Sequence, residues 1–145
     1  MLNKCRKFVL LPWSRKLLWL EAVFWLGLSR FRVKHTEFGK WSKNLGIHMA
    51  QVPSGEISER DQSRVLDISW AVRSAAEHVP WEAVCLPQAM AAKAMLRRRN
   101  IPCVLYLGMR KGESSPYDAH AWVKVNGVPV TGGESPEYVV VSYFV

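Results

Sequence analysis

Residues 119–131 read Ala119-His120-Ala121-Trp122-Val123-Lys124-Val125-Asn126-Gly127-Val128-Pro129-Val130-Thr131. Asn126-Gly127 is a two-residue hairpin signal between two runs of alternating or β-branched residues. The stretch therefore predicts two antiparallel strands. With 126 and 127 as the turn, 125 pairs with 128, 122 with 131 and 120 with 133. Side chains at 118, 120, 122 and 124 share one face. In this register Thr131 lies on the face of His120, one diagonal away.

Upstream, a polar loop over 111–117 leads back to Cys103-Val104-Leu105-Tyr106-Leu107, a continuous apolar run suited to a central strand covered on both faces. Downstream, residues 138–145 close the sheet. Residues 85–97 are apolar nearly all round, which predicts a buried helix. Pro87 suits its first turn, Arg97, Arg98 and Arg99 complement its C-terminal dipole, Asn100 can take a left-handed cap, and Pro102 stops it. Ser58-Glu59-Arg60-Asp61 resembles a capping box. It opens a helix whose stripe is Val65, Ile68, Val72, Ala75 and Val79. From about Pro12 to Val33, Trp13, Leu17, Leu20, Phe24 and Leu28 recur at helical spacing, as in an amphipathic or buried helix. Helices first and an antiparallel sheet last give an α+β fold.

The chain has 145 residues, 49% of them apolar, with a net charge of +8. That suits one globular domain with a real core. The charge is uneven. Residues 1–50 hold ten basic and two acidic residues, whereas 51–145 hold ten of each. The first third is thus expected to meet an acidic partner or a membrane surface, the latter not favoured. No nucleic-acid-binding motif is found. Gly39, Gly46 and Pro53-Ser54-Gly55 mark a linker. We therefore expect a basic helical subdomain over 1–53, for partner docking, and a second domain over 54–145. Leu17–Leu28 is too short for a membrane span, and Lys4–Lys7 is followed by no cleavage signal. Three cysteines (Cys5, Cys85 and Cys103) are too few for a disulfide framework, which points to a reducing, cytoplasmic setting. No spacing suggests a metal or other cofactor.

Cys85 opens the buried helix. Unpaired N–H groups and the dipole at a helix N-terminus stabilise a thiolate, the nucleophilic form. His120, 35 residues on, opens a strand and supplies the matching base. Taken singly, a free cysteine is most often a small buried residue, and a strand histidine a core one. A third group should orient the imidazole. Thr131 lies diagonal to His120, and Glu134 lies just past Gly132-Gly133. Asp118 shares the face in poorer geometry. Trp122 can wall the site. Gln88 lies too far along the helix for an oxyanion donor, which leaves the Cys85 N–H.

The ordered set Cys85-Leu86-Pro87-Gln88-Ala89, Leu96-Arg97-Arg98-Arg99-Asn100-Ile101-Pro102, Leu107-Gly108-Met109-Arg110-Lys111 and Ala119-His120-Ala121-Trp122-Val123-Lys124-Val125-Asn126-Gly127 resembles the transglutaminase-like leader peptidases of lasso-peptide biosynthesis. The basic, Trp-rich N-terminal region is similar to the helical extension of the stand-alone form. The resemblance implies a papain- and transglutaminase-like core, in which a catalytic helix packs on a small antiparallel sheet. It implies a cysteine peptidase that cuts the leader from a precursor peptide, without a cofactor. It also implies a small leader-recognition protein and an ATP-dependent macrolactam cyclase as partners. By position Cys85 is the nucleophile and His120 the base. The family often has Asn or Asp after the hairpin, where this chain reads Thr131-Gly132-Gly133-Glu134. Glu134 is the first choice for the third member, with Thr131 as its rival. Two other readings share these residues: an acyl transferase using the same Cys–His pair, and a non-enzymatic scaffold for an acidic partner or membrane.

Overall fold

Four helices precede four strands in a computed structural model that describes residues 10–145. The expectations for Lys4–Lys7 and Cys5 lie outside the described residues. The helices are α1 (Trp13–His35), the short α2 (Phe38–Trp41), α3 (Glu59–Ala76) and α4 (Cys85–Arg97), and a 3₁₀ turn spans Ser42–Leu45. The strands are β1 (Val104–Lys111), β2 (Tyr117–Val125), β3 (Val128–Thr131) and β4 (Val139–Phe144). They form one antiparallel sheet in the order β3-β2-β1-β4. The molecule is α+β.

Local signals set the element ends. Ser58 Oγ accepts the Asp61 N–H at 3.2 Å and caps α3. Asn100 takes φ 55°, and Ile101 N–H reaches back to Leu96 O at 3.1 Å, which closes α4. Asn126 and Gly127 take φ 47° and 77°, the twist a two-residue hairpin turn needs.

The core lies between α1, α3 and α4 and one face of the sheet. That face carries Leu105, Leu107, Ala121, Val123, Val125 and Phe144. Against it pack Ile68, Val72, Met95 and Leu96, all fully buried. Each such large side chain contributes roughly 1.5–3 kcal/mol through its burial. Residues on both sides of position 53 share this core, since Ala22 and Leu26 of α1 are fully buried in it.

Helix α1 is apolar on two faces, and the structure buries the one that carries Ala22, Leu26 and Ser29, with Leu18, Trp19, Val23 and Trp25 partly buried against the core beside them. Ala22, Leu26 and Ser29 face inward, where small side chains allow close approach to α3 and α4. Trp13, Leu17, Leu20, Phe24 and Phe31 are each more than half exposed. Ion pairs fix the helix in place. Glu21 meets Arg99 at 2.7 Å, Arg15 meets Asp67 at 2.9 Å, and Arg30 meets Glu82 at 3.4 Å.

The linker is also tied down. Ile47 and Val145 exchange backbone hydrogen bonds at 3.1 and 3.0 Å, and Met49 N–H donates to Tyr143 O at 2.9 Å. Residues 47–49 therefore cover part of the outer edge of β4. Gly46 (φ 120°) permits this, because a Cβ there would lie 2.1 Å from Val145 O.

Candidate active site

Cys85 is the first residue of α4 and is half-buried. Val84 before it offers no side-chain cap. The first-turn N–H groups therefore stay available beside the thiol, as an oxyanion-binding end requires. The Gln88 amide nitrogen Nε2 donates one N–H to Ala83 O at 2.7 Å. It braces the loop that enters the helix.

His120 lies on β2 opposite Gly108 of β1. Its ring stacks on Trp122 (centroids 5.7 Å apart, 24° between planes) and meets Tyr138 at 5.0 Å. Trp122 stacks in turn on Tyr106. These aromatics cover the sheet face away from α4, so the central strand is indeed enclosed on both sides. Burial, with Tyr143 alongside, pushes the Tyr106 phenol up in pKa, which keeps it neutral.

One contact fixes the chemistry of the imidazole. His120 Nε2 lies 3.1 Å from Gly132 O. A carbonyl only accepts, so this bond places the proton on Nε2 and leaves Nδ1 as the basic nitrogen. Ser135 Oγ donates to the same carbonyl at 3.2 Å and holds it still. The orienting group at His120 is thus a backbone carbonyl of the post-hairpin loop. The double glycine was the visible signal for it. Gly132 has φ 79°, and a Cβ there would lie 2.6 Å from Trp122 Cβ and 3.1 Å from His120 Nε2.

The expected side-chain candidates lie elsewhere. The predicted register is corrected on the β3 side. A bulge between Val123 and Lys124 sets Thr131 opposite Val123 instead of Trp122. The extra residue turns Thr131 onto the helix-packed face, away from His120. There it is buried and its Oγ1 has no partner. The Glu134 carboxylate lies 3.7 Å from Lys124 Nζ and is 72% exposed. Asp118 is held by Ser115 at 3.1 Å and Arg110 at 3.5 Å.

Cys85 and His120 make no hydrogen bond to one another among the described residues. Cys85 packs on the helix side of the sheet, and the ring of His120 lies on the aromatic side. Cys85 stands at a helix N-terminus and His120 beside the Gly132 carbonyl. Cys103, by contrast, is buried, and desolvation pushes its thiol up in pKa despite Lys93 nearby.

Residues 25–143 match the model of the family described as the transglutaminase-like superfamily. No curated protein and no solved structure gives a match. The match covers most of the chain, including α3, α4 and β1–β3, and with the α+β layout it identifies this chain as a member of the transglutaminase-like superfamily.

Proposed function

We propose that the protein is a cysteine peptidase that removes the leader from a ribosomally made lasso-peptide precursor before ring closure. The observation that supports this reading best is the His120–Gly132 contact, which leaves Nδ1 free as a base in a fold whose α4 begins at Cys85. In the proposed reaction Nδ1 takes the Cys85 proton, and the thiolate attacks the scissile carbonyl carbon. First-turn N–H groups of α4 hold the oxyanion. Nδ1–H then protonates the leaving amine, and a thioester remains. Water, deprotonated by His120, attacks the thioester and releases the new carboxylate and the thiol. Sγ lies on the helix side of the sheet and the imidazole on the aromatic side, so the reading requires substrate binding to bring the two onto one side, a rearrangement larger than the tightening of a hydrogen bond.

The proposed partners follow from the same reading. A small leader-recognition protein with an acidic face would cover the exposed stripe Trp13, Leu17, Leu20, Phe24 and Phe31. The charge of the first third favours it over a second copy, which would bring the same positive excess. The released core peptide would pass to an ATP-dependent cyclase.

The test is mass spectrometry of a cognate precursor incubated with the protein and its leader-recognition partner. Two fragments whose masses together exceed the precursor by one water support hydrolysis. Joining to an added amine with loss of ammonia would instead identify acyl transfer. Cleavage undiminished in Cys85→Ala would sink the mechanism. Binding of the wild type to anionic vesicles, lost at high salt, would assign the stripe to a membrane instead of a protein.

A further inference from the structure

A cavity of about 260 Å³ opens between α1, the 42–45 turn and the C-terminal half of α4. It lies far from the candidate nucleophile. Arg97 is twelve residues beyond Cys85 on the same helix, which is about 18 Å along its axis. The lining includes Trp25, Ser29, Arg32, Lys93, Arg97 and Arg98, and no acidic residue. Four cations thus surround one small space, above an apolar floor that Leu45 and Met90 extend.

The charge around this cavity is not balanced by the protein itself. The Glu21 carboxylate is held by Arg99 at 2.7 and 3.1 Å. Arg98 reaches it only at 3.5 Å. Arg97 donates to Asn44 O at 2.9 Å, a neutral acceptor. Lys93, 2% exposed, donates to the carbonyls of Cys103 and Phe144 at 3.3 and 3.0 Å. Among the described residues no carboxylate pairs with Arg32, Lys93 or Arg97. The α4 dipole adds only about half a negative charge at this end. Lys93 is buried, Arg32 is half-buried and Arg97 and Arg98 are exposed; one Glu and half a charge leave this group of five cations with a net positive excess, which favours an anion. A second observation agrees. The Trp25 indole Nε1–H is buried and has no acceptor.

We propose that this cavity binds an oxyanion, phosphate or carboxylate, carried on a small apolar body. The guanidinium groups of Arg32 and Arg97 would grip the oxyanion, as Arg does for both chemistries. The Trp25 N–H would add a donor, and Trp25, Leu45 and Met90 would take the apolar part. The site stands independently of the peptidase reading.

The experiment uses the full chain and follows the Trp25 indole N–H resonance by two-dimensional NMR, assigned with Trp25→Phe. Phenyl phosphate and phenylacetate are titrated separately, with benzyl alcohol as the neutral control. A saturable shift of that resonance with either anion, and none with benzyl alcohol, is expected. Arg32→Gln should weaken binding roughly tenfold or more, the scale of one lost charge-assisted hydrogen bond. Arg32 is half-exposed on α1, and an unchanged thermal melt would show that the variant is folded. A response to phenyl phosphate alone points to a phosphorylated molecule. A response to phenylacetate alone points to a carboxylate, such as an acidic peptide side chain. Silence with both anions at millimolar concentration, or equal affinity in Arg32→Gln, overturns the proposal.

Discussion

Gly132 is placed where a side chain would do harm. Its φ of 79° and the 2.6 Å approach to Trp122 Cβ mean that Gly132→Ala must move the loop. We expect a cost of about 1–3 kcal/mol and a fall in cleavage rate, because the carbonyl that fixes the His120 tautomer moves with the loop. Thr131→Val removes a buried hydroxyl that has no partner. It should leave the denaturation midpoint equal or higher and leave cleavage unchanged. Glu134→Gln breaks only an exposed ion pair, worth about 0–1 kcal/mol, and should also leave cleavage unchanged. Denaturant melts and precursor cleavage rates check all three. Lost cleavage in Thr131→Val or Glu134→Gln, with activity kept in Gly132→Ala, would return the orienting role to a side chain.

Helix α1 has to satisfy two surfaces. Its inward face uses Ala22, Leu26 and Ser29 to approach α3 and α4, and its outward face leaves a ridge of large apolar groups in water. A monomer gains nothing from such a ridge, and patches of this kind mark interaction surfaces. Replacing both Leu20 and Phe24 with Ser should therefore change stability by no more than about 0.5 kcal/mol. The same change should abolish co-elution with the proposed leader-recognition protein in gel filtration. An intact complex would mean that the ridge is not the docking surface. At the other end of the helical layer, the start of α4 depends on what it lacks. Val84 gives no cap, so the first-turn amides remain free to meet a developing oxyanion.

Lys93 couples the helical layer to the end of the sheet where β1 begins and β4 finishes, through the carbonyls of Cys103 and Phe144. Desolvation lowers its pKa, with Arg97 adding to the fall and Cys103 opposing it. The unfolded chain therefore binds more protons at this site between the lowered value and the ordinary lysine value, near 10.4. Stability contributed by the site rises with pH across that window. The raised Cys103 thiol works the other way above its ordinary value, because the folded state then holds the extra proton. In Lys93→Met the first effect disappears and Cys103 loses the cation that restrained it. The melting temperature of the wild type minus that of Lys93→Met should thus grow more positive from pH 7 to pH 10. A flat or falling difference would show that Lys93 titrates as an exposed lysine.

No helix of the described residues is long and apolar enough to cross a membrane, so the exposed ridge of α1 marks a surface and not a span. At this scale, local chemistry was readable from the chain alone. Ser58, Asn100 and Asn126-Gly127 act on their immediate backbone neighbours, so their caps and turn follow from residue type. The α+β order, the strand faces and the position of Cys85 at a helix start follow from periodicity in the same way. Which face of α1 is buried did not follow, because both faces are apolar and only docking on α3 and α4 selects the side with Ala22, Leu26 and Ser29. The β3 register did not follow either. A one-residue bulge is invisible to alternation, yet it reverses the face of Thr131 and leaves a glycine carbonyl to hold His120. The sequence by itself determined the elements and the placement of Cys85 at a helix start and His120 on a strand, whereas the imidazole's neighbours and the cationic cavity at the far end of α4 depend on contacts between segments distant in the chain.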